Sequence, residues 1–347
     1  DCIVTECRPP RQEKHTGRLL EGEEGKGKGL DGARKMCYNE RKEGKTMKMT
    51  FESFDKKPIA VHVWEAEHPV AVVQIVHGMT EHAARYAPFA RFLNGHGYTV
   101  AADDHRGHGE TDTDTLGWCK GDMFADTVRD EAALTDFLKE TYGVPVFLFG
   151  FSYGSFLTQS YLGKYSEKIA GAIIAGSSYK KDFEVYLGSV VAGLGCAFCG
   201  EKKPAKLIEK LSFGAYAGKF ADGEWLSADA ENNAAYHADP FCGFTCSFRF
   251  YADFFRGLRR LYTGRYRAGL KKELPLLLAS GAQDPVGAMG RGVKKLYAFY
   301  TRKAGMTDVS LALFEGSRHE FLNEKQDRDR KWGTVLDFLR AHTQGTE

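Results

Sequence analysis

The stretch that decides the fold is Val144-Pro-Val-Phe-Leu-Phe-Gly150-Phe-Ser152-Tyr-Gly154, an apolar run that ends in a Gly-x-Ser-x-Gly motif. Val144–Phe149 has the composition of a buried strand, and Ser155–Tyr165 has a helical pattern. A serine between such a strand and such a helix lies on a sharp turn. The flanking Gly150 and Gly154 permit this turn, because a Cβ at either position would collide with a neighbouring strand or helix. The sequence therefore predicts a nucleophile elbow that lifts the Ser152 hydroxyl above the carboxyl edge of a sheet.

The same alternation of strand and helix continues along the rest of the chain. Continuous apolar strands separated by helices are typical of a parallel sheet covered on both faces. We therefore expect an α/β fold, with a mostly parallel, doubly wound sheet and an inserted helical subdomain. Besides the run before Ser152, the predicted strands are Ile59–Glu65, Ala71–Val76, Tyr98–Ala102, Ile169–Ala175, Leu274–Ala279 and Val309–Phe314, and the predicted helices are Tyr86–Leu93, Phe124–Tyr142, Val293–Tyr300 and Trp332–Leu339.

The 347 residues divide by composition into four parts: a tail (1–48), a first core part (49–179), an insertion (180–272) and a second core part (273–347). The tail holds 12 Lys/Arg, 9 Asp/Glu, seven Gly and a single aromatic residue, so it lacks the apolar surface that folding requires. We expect it to be disordered. Met47 and Met49 stand directly before the first predicted strand, which suggests that residues 1–46 are a non-native extension.

The insertion interrupts the alternation and is rich in aromatic residues. It has 17 aromatics in 93 residues, and 15 Lys/Arg against 10 Asp/Glu. A stretch of this length between two strands predicts an inserted, mostly helical subdomain rather than a structureless loop. Its aromatic lining suits an acyl chain, and its positive charge either favours an anionic lipid surface or marks a solvated helix face.

Overall composition excludes several classes of protein. A formal charge of +2 gives no strong attraction to nucleic acid, and no run approaches 18 apolar residues, so we expect no membrane span. No secretory leader precedes the eight cysteines, which favours reduced thiols and a cytoplasmic protein. The pairs Cys196/Cys199 and Cys242/Cys246 have zinc-like spacing but apolar surroundings, so we expect no metal there.

A serine hydroxyl needs a base and an acid that orients this base before it can act as a nucleophile. In this fold both should follow later strands, in the order acid and then histidine. Asp284 follows Leu274–Ser280, and His319 follows Val309–Phe314. The order and placement predict a Ser152–His319–Asp284 triad.

The backbone should also offer two N–H groups to a developing oxyanion. The residue after the nucleophile, Tyr153, supplies one, and Met79 in the loop after Ala71–Val76 supplies the other. His77 precedes this loop and is expected to brace it rather than to act as a base. Asp104-His-Arg-Gly-His-Gly109 has no ligand set of the usual spacing, so we expect neither a metal nor a cofactor. His82, His105 and His108 are likewise expected to be structural.

These motifs together resemble the monoacylglycerol lipase and lysophospholipase group of α/β-hydrolases, and part of the pattern is shared with prolyl-aminopeptidase-like (serine aminopeptidase S33-type) enzymes. The resemblance runs from about Met49 to Thr343 and includes His77-Gly-Met-Thr-Glu-His82 with Arg85-Tyr86. It implies the α/β-hydrolase fold with an inserted helical lid. It further implies that Ser152, Asp284 and His319 are catalytic, that Met79 and Tyr153 form the oxyanion hole, and that 180–272 is the lid over an acyl pocket. Glu110-Thr111 departs from the usual small, serine-containing turn. The lid segment Asp239-Pro-Phe-Cys-Gly-Phe244 is similar to bacterial lysophospholipase-like proteins.

The sequence thus predicts a serine hydrolase of carboxylic esters, cytoplasmic and of bacterial origin, that acts on a small-molecule ester or lipid. We expect transient contact of the lid with a membrane surface and no binding of nucleic acid. One alternative is an aminopeptidase or amidase, for which Glu201, Glu224 or Asp253 would bind the substrate amine. The other alternative is a binding protein that keeps the fold without turnover.

Overall fold

The computed structural model describes residues 36–39, 46–181 and 183–343, and its centre is a nine-stranded sheet. Its first three strands are antiparallel to one another, and the later strands are joined by helices. The strands are β1 (Met36–Asn39), β2 (Thr46–Glu52), β3 (Pro58–Trp64), β4 (Ala71–Val76), β5 (Tyr98–Asp103), β6 (Val146–Phe151), β7 (Gly171–Ala175), β8 (Leu276–Gly281) and β9 (Val309–Phe314).

The spatial order of the strands is β1-β2-β3-β5-β4-β6-β7-β8-β9. The pairs β1–β2, β2–β3 and β3–β5 are antiparallel, and every later pair is parallel. Val76 pairs with Gly150, and Phe151 pairs with Ala175, so β4, β6 and β7 end at one edge of the sheet. This topology confirms the predicted α/β-hydrolase fold.

Ten α-helices occur in the described residues, and five of them lie between β7 and β8. α4 continues directly into a π-helix, Cys196–Gly200, and α9 into another, Phe299–Lys303. The α-helices are α1 (Ala87–Asn94), α2 (Met123–Tyr142), α3 (Tyr153–Tyr165), α4 (Phe183–Gly195), α5 (Lys206–Ala217), α6 (Ala230–Ala238), α7 (Phe248–Arg260), α8 (Gly264–Ala268), α9 (Arg291–Ala298) and α10 (Arg328–Thr343).

Successive residues of the central strand β6 face opposite sides of the sheet, as the period of a strand requires. Phe147 and Phe149 belong to the core that α1 and α10 cover, whereas Leu148 belongs to the core that α2 and α3 cover. All six residues of β6 are buried. Burial on both faces explains why the sequence of this strand is continuously apolar rather than alternating.

Two strands begin later than the sequence indicated. β6 begins at Val146 and β8 at Leu276, each one residue after a proline, whereas the predicted starts were Val144 and Leu274. Proline has no backbone N–H to donate to a neighbouring strand. The carbonyl groups still accept, from Val72 N–H to Pro145 O and from Ala172 N–H to Pro275 O, both at 2.9 Å.

Part of the predicted tail, 1–48, is strand rather than disordered chain. Met36–Asn39 forms the antiparallel strand β1 against β2, which itself begins at Thr46. Charged residues occupy 21 of the 48 positions of the tail, and its composition did not reveal that an open sheet edge was available for backbone pairing. The rest of the tail, 1–35 and 40–45, lies outside the described residues.

One helix corrects the expectation that no segment is long and apolar enough to span a membrane. By length and composition alone, Phe183–Gly200 meets that requirement, and only 17% of it is buried. Glu184 is the single charged residue in these 18 positions. The helix comprises α4 and its π-helical continuation, and it lies in the insertion.

Candidate active site

Ser152 lies between β6 and α3, in a backbone conformation that few residues other than glycine adopt. Its φ is 51° and its ψ is −117°, a strained geometry associated with functional sites. The local packing explains both flanking glycines. A Cβ on Gly150 would overlap the Thr158 side chain, and one on Gly154 would overlap the carbonyl oxygens of Val76 and His77. The packing of β6 against α3 therefore requires glycine at 150, and the close approach of α3 to the end of β4 requires glycine at 154.

The structure brings together the three residues predicted as a triad. His319 Nε2 lies 2.8 Å from Ser152 Oγ, and His319 Nδ1 lies 3.0 Å from Asp284 Oδ1. Asp284 follows β8 and His319 follows β9, so both side chains reach the sheet edge at which Ser152 stands. The geometry allows proton transfer from the serine hydroxyl to the imidazole, with a carboxylate behind the ring.

Two further hydrogen bonds fix the Asp284 carboxylate. Oδ1 accepts from the backbone N–H of Val286 at 2.8 Å, and Oδ2 accepts from the hydroxyl of Ser280 at 3.1 Å. Asp284 is wholly buried, and His319 is 1% exposed. Burial alone would lower the pKa of His319, but the adjacent charge of Asp284 and a hydrogen bond to it outweigh burial, so the pKa of His319 is raised above its usual 6.5.

The two predicted oxyanion donors both border the cavity that contains Ser152. Tyr153 is the first residue of α3, and Met79 lies in the loop after β4. The neighbours of Met79 already use their N–H groups, since Gly78 donates to Glu81 Oε1 at 2.6 Å and Thr80 donates to His108 Nε2 at 3.2 Å. Between these two engaged groups lies the N–H of Met79, the predicted oxyanion donor.

Three of the histidines predicted to be structural, His77, His105 and His108, hold this loop in place. His77 stacks on His105 with 3.7 Å between ring centroids, and His77 Nε2 accepts from the His105 N–H at 3.0 Å. Burial lowers the pKa of His77 well below its usual value and that of His108 to about 3, so both rings are neutral. A neutral His108 can accept from Thr80, which holds the backbone beside Met79.

Sequence reasoning missed an ion bridge that joins the two halves of the site. Arg85 Nη1 lies 2.6 Å from Glu81 Oε2 and 2.5 Å from Glu320 Oε1, and Arg85 Nη2 donates to Glu320 Oε2 at 2.7 Å. Glu81 also accepts from Gly78, and Glu320 directly follows His319. The bridge thus connects the loop after β4, residues 77–82, to the loop after β9 that contains His319. The first of these is called the oxyanion loop below. Its sequence signal was the four-residue spacing of Glu81 and Arg85, which is a common helical pair on its own.

A cavity of about 870 Å³ opens above these residues and is bordered largely by the insertion. The Trp225 ring lies 5.2 Å from the His319 ring and covers the site. Of the lid carboxylates proposed to bind an amine, Glu224 borders the cavity, whereas buried Asp253 is paired with Arg249 at 2.9 Å. Apolar side chains of α3, α4, α5 and α7 contribute to the wall, among them Phe156, Val185, Val191, Ile208, Leu211, Tyr251, Phe254, Phe255 and Leu258.

Two groups of potential metal ligands occur among the described residues, although the sequence predicted none. The first, Asp103, His105 and Glu131, is wholly buried, and the second, His82, Asp239 and Cys242, is half-buried. Neither group contains the Cys196/Cys199 pair. Neither group shares a residue with the arrangement of Ser152, His319 and Asp284.

Comparisons with known proteins agree with this geometry. Residues 67–326 match the family described as serine aminopeptidase, S33. A monoacylglycerol lipase of Mycolicibacterium smegmatis is 26% identical over 271 residues, which cover 78% of this chain and 89% of that protein. The crystal structure of a thermostable carboxyl esterase from Bacillus coagulans, in complex with glycerol, has a TM-score of 0.77 at 27% identity and covers 86% of this chain and 99% of the esterase.

A third similarity concerns the fold alone. The structure of a soluble variant of monoglyceride lipase from Saccharomyces cerevisiae, in complex with a substrate analogue, has a TM-score of 0.69 at 20% identity. It covers 84% of this chain and 94% of that one. The chain belongs to the serine aminopeptidase S33 family of α/β-hydrolases, in its monoacylglycerol lipase-like and lysophospholipase-like group, and is an ester hydrolase.

Proposed function

We propose that this enzyme hydrolyses carboxylic esters of lipids, such as monoacylglycerols or lysophospholipids, through an acyl-enzyme on Ser152. The observation that carries the proposal is the placement of Ser152, His319 and Asp284 at the base of a large apolar cavity. Relatives named monoacylglycerol lipase support a lipid ester as substrate. The aromatic and aliphatic wall suits an acyl chain, whereas the polar groups of the site meet the ester.

The proposed reaction begins with attack of Ser152 Oγ on the ester carbonyl while His319 Nε2 accepts the hydroxyl proton. Asp284 keeps the imidazole in the tautomer that accepts at Nε2 and stabilises the imidazolium that forms. The N–H groups of Met79 and Tyr153 stabilise the oxyanion. His319 then protonates the leaving alcohol, and in the second half it activates the water that releases the acid. These steps require no cofactor.

The test is a hydrolysis panel of monoacylglycerols, lysophospholipids and short p-nitrophenyl esters, with Ser152→Ala as the variant. We expect kcat to fall by about 10⁴-fold or more, because the nucleophile is removed. Ser310→Ala, at an exposed position of β9, is the matched control and should keep wild-type turnover. Turnover by Ser152→Ala comparable to that of the control would refute the mechanism.

The main alternative is cleavage of an amide or an aminoacyl bond, which Glu224 at the cavity wall favours because a carboxylate can bind a free amine. The same panel includes aminoacyl-naphthylamides. Faster turnover of these compounds than of every ester would replace the proposed ester specificity. A binding protein without turnover is the third reading, and failure of the wild type to react with a fluorophosphonate would favour it.

We further propose that the lid rests on a membrane surface. Large apolar side chains of α4, of its π-helical continuation and of α5 face solvent, with Phe183 74%, Phe198 84% and Leu207 58% exposed. Exposed lysines follow along the same elements, at Lys202, Lys203, Lys206 and Lys210. An exposed apolar face with adjacent lysines suits the surface of a bilayer that contains anionic lipid.

Vesicle co-sedimentation tests this contact. We expect Phe198→Asp to weaken binding to vesicles of phosphatidylcholine with phosphatidylglycerol by about tenfold, the loss that follows when one apolar side chain is no longer buried. Val70→Asp is the matched control, since Val70 is 48% exposed but lies on the body between β3 and β4. Equal binding by the two variants would exclude the lid as the contact surface.

A further inference from the structure

The group formed by His82, Asp239 and Cys242 joins two separate parts of the molecule. His82 ends the oxyanion loop after β4, whereas Asp239 and Cys242 belong to the lid segment after α6. One ligand atom from each residue lies within 4.8 Å of the other two, and His82 Nε2 is 2.9 Å from Asp239 Oδ2. No part of the proposed hydrolytic mechanism uses these three side chains.

We propose that His82 Nε2, Asp239 Oδ2 and Cys242 Sγ form a Zn²⁺ site that holds the lid segment on the oxyanion loop. Imidazole nitrogen, carboxylate oxygen and thiolate sulfur are the three zinc ligand types, at about 2.0–2.3 Å from the ion. Around one tetrahedral ion such atoms lie about 3.3–3.6 Å apart. Small side-chain shifts therefore bring the three ligand atoms, which lie within 4.8 Å of one another, to this spacing. Three protein ligands leave the fourth tetrahedral position to water, and the thiolate disfavours Mg²⁺ and Ca²⁺.

The lid segment already orients two of the ligands. Asp239 Oδ1 accepts from the backbone N–H of Phe241 at 2.8 Å, so Oδ2 is the oxygen that faces His82. The Cys242 N–H donates to Asp239 O at 3.0 Å, and this turn places the carboxylate and the thiol on the same side of the segment. Hydrogen bonds of this kind to a metal-binding carboxylate commonly fix the ligands of zinc sites.

Charge and accessibility also suit a divalent cation. The charge of Arg85 acts on both Asp239 and Cys242, but its guanidinium is engaged by two carboxylates, those of Glu81 and Glu320. The region therefore keeps an excess of negative charge once Asp239 is counted. His82 and Asp239 keep 12% and 28% of their side-chain surface exposed, so an ion can reach the group from solvent. The wholly buried group Asp103, His105 and Glu131 offers no such access.

The site would strengthen a contact that the protein already makes. Gly243 N–H donates to Thr80 O at 3.0 Å, and the Tyr236 hydroxyl lies 3.0 Å from the same oxygen. Thr80 directly follows Met79, the proposed oxyanion donor. A bound ion adds coordinate bonds between the same two segments. Zinc should therefore stabilise the folded enzyme.

Binding is a ligand exchange without electron transfer. The Sγ–H bond of Cys242 breaks, its proton passes to solvent, and a Zn–S bond forms as the ion loses water molecules. In the metal-free protein His82 Nε2 carries the proton that faces Asp239 Oδ2. On binding, the imidazole changes to its Nδ1–H tautomer, and the His82–Asp239 contact gives way to one bond from each residue to the same ion. Proton release makes zinc affinity increase with pH.

The test measures zinc itself, so it is independent of ester hydrolysis. The metal-free full chain is titrated with Zn²⁺ in competition with a chromogenic chelator. We expect one ion per chain, and a loss of about 100-fold or more in affinity in Cys242→Ser, since even residues that only support a ligand contribute 10–100-fold. Cys199→Ser, which alters an exposed thiol outside the group, should bind as the wild type does.

Cobalt supplies a second readout. Co²⁺ bound by the wild type should show thiolate-to-cobalt charge-transfer absorption, absent in Cys242→Ser and retained in Cys199→Ser. If Cys242→Ser fails to fold, His82→Gln keeps the thiol and should show the same loss of zinc affinity. No stoichiometric zinc on the wild type, or equal affinity in the wild type and a folded Cys242→Ser or His82→Gln variant, would overturn the proposal.

Discussion

Replacement of Asp284 by asparagine tests how the buried carboxylate acts on His319. Asp284 has no exposed surface, and its Oδ1 lies 3.0 Å from His319 Nδ1. Asparagine has nearly the same size, but it carries no charge, and its amide can stabilise the wrong tautomer of the ring. Loss of the corresponding aspartate in a serine triad lowers kcat by about 10⁴-fold. At 1.36 kcal/mol per tenfold change in rate, this corresponds to about 5 kcal/mol of transition-state stabilisation.

The same substitution should shift the pH dependence of the reaction. His319 must be neutral to accept the proton of Ser152, so activity falls as the pH drops through the His319 pKa. In the wild type the Asp284 charge raises that pKa above 6.5, against the opposing effect of burial. In Asp284→Asn burial remains and the charge is gone. The acid limb of kcat/KM should therefore move to lower pH while the plateau drops.

The assay is hydrolysis of a p-nitrophenyl ester between pH 5 and 9. The control is Asp308→Asn, which removes the charge of another aspartate that lies 3.0 Å from a histidine, His342, at the opposite end of β9. It should leave both the rate and the acid limb unchanged. A folded Asp284→Asn enzyme within tenfold of the wild type, or with its acid limb at higher pH, would refute the proposed role of Asp284.

Two further substitutions test the packing around the site by thermal denaturation. Gly154→Ala places a Cβ against the carbonyl oxygen of Val76. We therefore expect a loss of about 1–3 kcal/mol in the free energy of unfolding, together with reduced kcat. An unchanged melting temperature would contradict the close approach of α3 to β4. Lys331→Ala leaves the buried Glu324 carboxylate unpaired and should cost about 3–5 kcal/mol, because its 2.9 Å partner is lost. The control is Lys325→Ala, which breaks an exposed ion pair with Glu231 and should cost less than about 1 kcal/mol of stability. Equal losses of stability in the two lysine variants would show that burial is not the cause.

The sequence predicted the fold and the three central side chains because each carries a local signal. Ser152 stands between a continuously apolar strand and a helix, and Asp284 and His319 each follow a strand of the same kind. Chain order then restricts the arrangement, since parallel strands end at one edge of the sheet. These three residues could therefore be predicted without knowing which side chains contact one another.

Contacts between distant segments carried no comparable signal. Arg85 meets Glu320 across 235 positions of the chain, and His82 meets Asp239 across 157. Each residue alone resembles an ordinary charged or loop position. The first strand, Met36–Asn39, was missed for a related reason, because its pairing depends on a free edge of the sheet rather than on its own composition.

The central claim is that Ser152 is the nucleophile, activated by His319. Its most direct test is reaction of the full chain with a fluorophosphonate, followed by intact mass and peptide mapping. We predict one adduct per chain on the peptide that contains Ser152, no adduct in Ser152→Ala, and a much slower reaction in His319→Ala. An unlabelled wild type, or labelling of Ser152→Ala at the rate of the wild type, would contradict it.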